Sequence, residues 1–406
     1  MKRLPMVQRS FPAATFSRRS IRSWSLRLIC AGLALLPLNA GAQNGEGSSG
    51  ACRPLATDKA LADSVTHPFW KSPHTDAETV LFELHPGETA ATAKLLFTPT
   101  RIVRITSATD ETVFEQGRDY LWMPGSNVLT LAPNSRIPFE TTAELHPPMI
   151  SPNDVGIAVG GKASLLFHEG PPFQAIEAAV SYDHKKQWEG YTPPSAAAGL
   201  SRTRATLKAR QPFKLVVLGD SVSTGASASQ SFCKPPFQPG FAELVANALR
   251  LKYRDPVTLK NLSVGGKTAS WGVTEAARAA EEHPNLVIIA FGMNDASLGV
   301  SAEEYGGEIQ KMMAAVRASS PDADFVLVAT WPGNPDWAHS DWPRYEQYRQ
   351  ALSRLTGPGV AMADLTSLFE EILKTKKFDD LTGNGLNHPN DFGHRIYAQA
   401  ILQLIK

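Results

Sequence analysis

An α/β domain with a parallel sheet over residues 213–406, preceded by a smaller β-sandwich over 75–190, is the architecture this 406-residue chain predicts. Three observations carry it. Between about 75 and 185, alternating and β-branched runs such as TAKLLFTPTRIVRITSA are broken by turn signals, among them Gly117 and Pro124-Gly125-Ser126-Asn127. From 214 onward, short apolar runs alternate with helical patterns. A Pro/Ala/Ser-rich connector, 191–212, lies between them.

At the N-terminus, Lys2, Arg3, Arg9, Arg18, Arg19 and Arg22 precede the apolar run Leu26 to Leu38, and Ala40-Gly41-Ala42 offers a cleavage site. This is the layout of a secretory signal over 1–42, with an apolar run too short to span a bilayer. Export to the periplasm or beyond is expected; Arg18-Arg19 fits a twin-arginine signal poorly. Residues 43–74 begin with QNGEGSSG and read as a flexible segment. Loss of Cys30 with the signal leaves Cys52 and Cys233, as one disulfide or two unpaired thiols.

In the second half, KLVVL (214–218), VTLKNLS (257–263), LVIIAF (286–291), FVLVAT (325–330) and GVAMA (359–363) read as strands buried on both faces. Helical patterns separate them, and FGHRIYAQAILQLI closes the chain as an amphipathic helix. In such sheets chemistry gathers at the carboxyl ends of the strands.

Those ends carry Gly219-Asp220-Ser221, Gly265-Gly266-Lys267, Gly292-Met293-Asn294-Asp295 and, before the last helix, Asn387-His388-Pro389-Asn390. In this order the four blocks resemble the SGNH (GDSL) hydrolase superfamily over residues 214–406. The resemblance implies a three-layer, flavodoxin-like domain that hydrolyses carboxylic esters without a cofactor. It also implies the roles. Ser221 attacks the carbonyl and His388 takes its proton. The N–H groups of Ser221 and Gly266 and the Asn294 amide hold the oxyanion. Asp220 and Asp295 read as turn-holding groups and His394 as a surface or packing residue. Lys267, where a small or acidic residue is expected, reads as solvated.

Most members of the superfamily place an aspartate three residues before the histidine; here that position is Gly385. Three readings stay open. Asp379 or Asp380 folds back to replace it; Asn384 or a backbone carbonyl orients the ring in a Ser-His dyad; or the site is inert. The dyad ranks first and inertness last, because the other blocks are intact.

A net charge of +1, from 40 basic and 39 acidic side chains, gives no reason to expect nucleic acid or an anionic membrane surface as partner. The other eight histidines show no metal spacing. A monomer without stable membrane insertion is expected. An exported esterase with a β-rich domain resembles bacterial carbohydrate esterases, which implies an O-acetyl ester on a glycan as substrate. A general short-chain carboxylesterase or lysophospholipase, and a non-catalytic carbohydrate-binding protein, are the alternatives. Trp331, Trp337 and Trp342 read either as sugar platforms or as core closure, and Asn334 as a sugar contact.

Overall fold

The computed structural model describes residues 59–149, 151, 154–195, 199–254 and 256–405. The expected signal over 1–42, Cys30 and Cys52 lie outside them. Cys233 is disulfide-bonded.

The described part of the segment expected as flexible, residues 59–74, instead forms α1 (Lys59–Thr66) and buries Val65, Phe69 and Trp70 in the core, and the β-rich half carries two sheets. β1 (His74–Val80), β2 (Phe82–Leu84), β3 (Thr92–Lys94), β4 (Pro99–Ser107) and β5 (Val113–Phe114) come first. They are followed by β6 (Tyr120–Trp122), β7 (Val128–Leu131) and β8 (Phe139–Thr141). The short helices α2 (Thr142–Leu145) and α3 (Pro171–Gln174) then lead to β9 (Ala178–His184). One sheet has the order β1-β9-β4-β5 and the other β6-β7-β3-β2-β8. Pairing is antiparallel throughout except for β2 with β8. The period-2 pattern is plainest in β9, where Ala178, Val180, Tyr182 and His184 point inward and their neighbours do not.

Within the stretch expected as a connector, residues 201–208 form the helix α4 (Ser201–Lys208). Its first turn is pinned by the buried Asp324, which accepts from the Thr203 amide at 2.8 Å and pairs with Arg202 at 3.1 Å.

The second half alternates strand and helix. β10 (Phe213–Gly219), α5 (Ser221–Thr224), α6 (Phe241–Tyr253), β11 (Val257–Asn261) and α7 (Ala269–Glu281) lead to β12 (Leu286–Ala290). α8 (Met293–Ser297), α9 (Ala302–Ser319), β13 (Asp324–Ala329) and α10 (Trp342–Arg354) follow. β14 (Val360–Asp364), α11 (Leu365–Leu373) and α12 (Asp391–Ile405) close the chain. The five strands form a parallel sheet in the order β11-β10-β12-β13-β14. Every residue of β12 and β13 is buried, as continuous apolar strands between two helix layers require. The first strand, β10, lies between β11 and β12, so the chain direction switches at its carboxyl end. A crevice opens at such a point.

The two halves share one core. Lys376, fully buried, donates to the carbonyls of Thr79 (3.2 Å) and Lys94 (2.8 Å) and pairs with Glu78 (2.7 Å) and Asp380 (3.2 Å). α12 is buried on all sides. Its polar face meets the β-rich half: Gln399 accepts from the Phe69 amide, Gln403 from Lys71, and Arg395 donates to the carbonyls of Asp76 and Ala77.

Candidate active site

Ser221 stands where β10 ends and α5 begins. Asp220 caps that short helix, its carboxylate accepting from the Val222 amide at 3.0 Å. Burial pushes the Asp220 carboxyl up to about 7. Its function in the structure is to hold the turn that presents Ser221.

Two bonds draw the second block beside the serine, and a third folds it on itself. The Val264 amide donates to the Gly219 carbonyl (3.1 Å), the Asn261 amide to the Ser223 carbonyl (2.7 Å), and the Ser263 amide N–H to Asn261 Oδ1 (3.1 Å). Gly266 has φ +73°, a backbone conformation that explains the glycine, and the space around it is open. Buried Asp295 joins the second and third blocks. It accepts from the amides of Ala269 (3.0 Å) and Gly292 (3.1 Å), and burial pushes its carboxyl up to about 6. Asn294 is thereby set beside the second block and donates to the Lys267 carbonyl at 2.9 Å.

The fourth block is a folded loop. His388 returns its carbonyl to the Gly383 amide (2.8 Å) and the Thr382 hydroxyl (2.9 Å). Fully buried Asn384 gathers the loop from inside, its Oδ1 accepting from the amides of Leu386, Asn387 and His388. Held this way, His388 brings Nε2 to 2.9 Å from Ser221 Oγ. That is hydrogen-bond distance for proton transfer between a serine and an imidazole.

The group behind His388 is none of those expected from the sequence. Nδ1 lies 3.2 Å from Glu169 Oε1 and 3.4 Å from Oε2, a carboxylate 219 residues upstream in the β-rich half. Burial pushes the Glu169 carboxyl up, but His388, Asn384 and Ser227 outweigh it and hold it below the ordinary carboxylate range. Asp380 faces elsewhere, accepting from the Leu81 amide and pairing with Lys376. Asp379 lines a cleft with His146, Leu165 and Lys377. Asn384 turns its Nδ2 to Glu169 rather than to the ring. No local sequence signal pointed to Glu169, because its approach depends on how the two halves pack.

The tryptophans and Asn334 also depart from the sugar-contact reading. Trp331 is fully buried against Phe369 and Tyr397. The indole N–H of Trp337 donates to the Val155 carbonyl and that of Trp342 to the Gly333 carbonyl, so both rings close over loops. Asn334 is buried and donates to the Gly385 carbonyl at 2.9 Å, clamping the histidine loop. Lys267 lies 5.9 Å above the Trp271 ring, a side chain that sequence reading passed over. His394 is a buried packing residue, its Nε2 on the Ala226 carbonyl at 3.0 Å. A cavity of about 250 Å³ lined by Gln174, Glu177, Gln238 and Arg395 reaches the loop at Gly383 and Ser227 but is lined by neither Ser221 nor His388.

Residues 217–396 match the model of the GDSL-like lipase/acylhydrolase family. An arylesterase of Vibrio mimicus is 27% identical over 143 residues, 34% of this chain and 67% of that protein. Among solved structures, a two-domain esterase active on acetylated mannans, co-crystallised with mannopentaose, is 21% identical with a TM-score of 0.40. The match covers 52% of this chain and 54% of that one, so the chain spans about half the length of that esterase. A catalytic mutant of an acetylxylan esterase from Geobacillus stearothermophilus is 21% identical with a TM-score of 0.38, over 48% of this chain and 96% of that one.

Proposed function

We propose that this chain, whose residues 217–396 match the GDSL-like lipase/acylhydrolase family model, is an ester hydrolase with Ser221 as nucleophile and His388 as base, and that O-acetyl groups on a carbohydrate are its substrate. The observation that carries the assignment of the pair is the 2.9 Å approach of His388 Nε2 to Ser221 Oγ.

In this reading Nε2 takes the hydroxyl proton as Oγ attacks the acyl carbon, and the carbonyl oxygen becomes an oxyanion. The N–H groups of Ser221 and Gly266 receive it, with Asn294 Nδ2, whose other hydrogen is fixed on the Lys267 carbonyl. Collapse expels the alkoxide, which His388 protonates. Water, activated by the same imidazole, then releases the carboxylic acid from the acyl-serine. The chain's residues suffice for every one of these proton transfers. We also propose that the enzyme is exported, on the secretory-signal layout of residues 1–42, so that it works outside the cytoplasm.

The preference for a small acyl group on a polar alcohol is supported by the surroundings of the reacting atoms. Gly265 lies against Ser221, where an added Cβ would stand 3.7 Å from the serine Cβ, and polar Lys267 and Asn294 are joined by a hydrogen bond in the adjoining blocks. The test is acetate release from a panel of acetylated glycans beside p-nitrophenyl esters of rising chain length, with Ser221→Ala as control. Preference for octanoate over acetate would reject the substrate class and favour a general carboxylesterase or lysophospholipase. Absence of turnover with the wild-type chain would reject the catalytic reading altogether.

A further inference from the structure

The two halves of the chain meet at His388, and their contact has the layout of a shared active site. The segment 165–170 leaves the β-rich half and crosses the histidine loop. It is anchored before it arrives, the Leu166 amide donating to the Leu145 carbonyl at 2.8 Å and Leu165 packing with Trp337 and Leu386. On the loop, the His168 amide donates to the Asn384 carbonyl at 3.3 Å. Glu169 is then gripped from two sides, by Asn384 Nδ2 at 3.1 Å and Ser227 Oγ at 3.4 Å.

The residue three before the histidine is explained by the same crossing. Gly385 has φ +87°, and the Leu166 carbonyl oxygen occupies the place of its missing Cβ. A side chain at 385 and the crossing segment exclude each other. The position is vacated where the other half enters, and the entering segment brings a carboxylate to Nδ1.

We propose that Glu169 is the positioning acid of His388, so that the β-rich half completes the hydrolase site. This rests on the reading of Ser221 and His388 as nucleophile and base. An Nδ1–H donated to Glu169 fixes the tautomer whose Nε2 lone pair faces Ser221 Oγ, and the carboxylate stabilises the imidazolium formed when Oγ gives up its proton. Glutamine at 169 keeps the shape but removes the negative charge, and it can offer an N–H where an acceptor is needed.

The full-length chain with Glu169→Gln is measured in three ways. Steady-state kinetics on p-nitrophenyl acetate should show kcat lower by roughly 10²–10⁴ with KM within about threefold, the scale of loss when a triad acid becomes its amide. The thermal midpoint should stay near wild type, and Glu169→Asp should retain more activity than the glutamine variant. A downfield proton resonance from the hydrogen-bonded Nδ1–H, assigned by its loss in His388→Gln, should be present in the wild type and absent in Glu169→Gln. Wild-type kcat in Glu169→Gln, or a downfield signal that survives the substitution, overturns the proposal. The resonance needs no substrate, so it decides the role of Glu169 even if ester turnover fails and the functional reading falls with it.

Discussion

The Leu166 carbonyl oxygen rests on Gly385 where a Cβ would otherwise stand, and the glycine's φ is +87°. Both constraints act against any replacement. Gly385→Ala puts an L-residue in the left-handed region, at roughly 1–2 kcal/mol, and pushes a backbone carbonyl that belongs to an anchored segment. The expected outcome is a lower thermal midpoint together with reduced kcat, because the push is transmitted three residues on to Glu169. Unchanged values of both would mean that the crossing is not tight in solution.

Asn294→Ala should fold as the wild type does and lose about 10²–10³ in kcat, the usual cost of one oxyanion donor. Its side chain bonds only the Lys267 carbonyl among the contacts described, so little structure depends on it. Near-normal turnover would remove it from the oxyanion site, and Ser221→Ala measured alongside sets the background.

Lys376 joins the halves through four oxygens, those of Glu78, Asp380, Thr79 and Lys94. Burial pushes its ammonium down, but Asp380 and Glu78 more than offset this and hold it above the ordinary lysine value. Lys376→Met leaves two buried carboxylates without their cation and should cost about 3–5 kcal/mol in urea unfolding. A loss under about 1 kcal/mol would show that the cluster relaxes to water.

His394 predicts a pH dependence of stability. Its Nε2–H is donated to the Ala226 carbonyl, and Nδ1 accepts from the Phe241 amide at 3.3 Å, so the folded state holds the neutral ring. Burial pushes its pKa down to about 4, against 6.5 in an unfolded chain. Between these values the unfolded chain binds more protons, so this stabilisation is complete above about pH 6.5 and is lost as pH falls towards 4. Buried Asp220, raised to about 7, acts in the opposite sense, so the comparison must be with a variant. The thermal midpoint of the wild type should fall more steeply than that of His394→Gln between pH 6.5 and 4. Parallel slopes would show that the ring titrates freely in the folded chain.

The last helix marks how far local pattern reaches. Its apolar spacing was legible, but the opposite, polar face carries Arg395, Gln399 and Gln403, and these are buried too. Their polar ends are satisfied by backbone carbonyls, amides and a lysine of the β-rich half, which no local window contains. The tryptophans of the 331–342 loop stayed open between two readings for a similar reason, since a ring in a loop has the same spacing whether it faces a sugar or the core. Residues 201–208 carried few apolar side chains, and their helix depends on Asp324, far along the chain.

By itself the sequence determined the alternation of strands and helices in the second half, its parallel sheet, and the four blocks at the strand ends that carry the resemblance to ester hydrolases. These follow from periodicity and from chemistry confined to short segments. Tertiary structure alone decided what stands behind His388. A carboxylate reaches an imidazole by packing, and the contact between Glu169 and His388 spans 219 residues and both halves of the chain. Gly385 records that contact in the sequence only as an absence, because the space its side chain would fill belongs to Leu166.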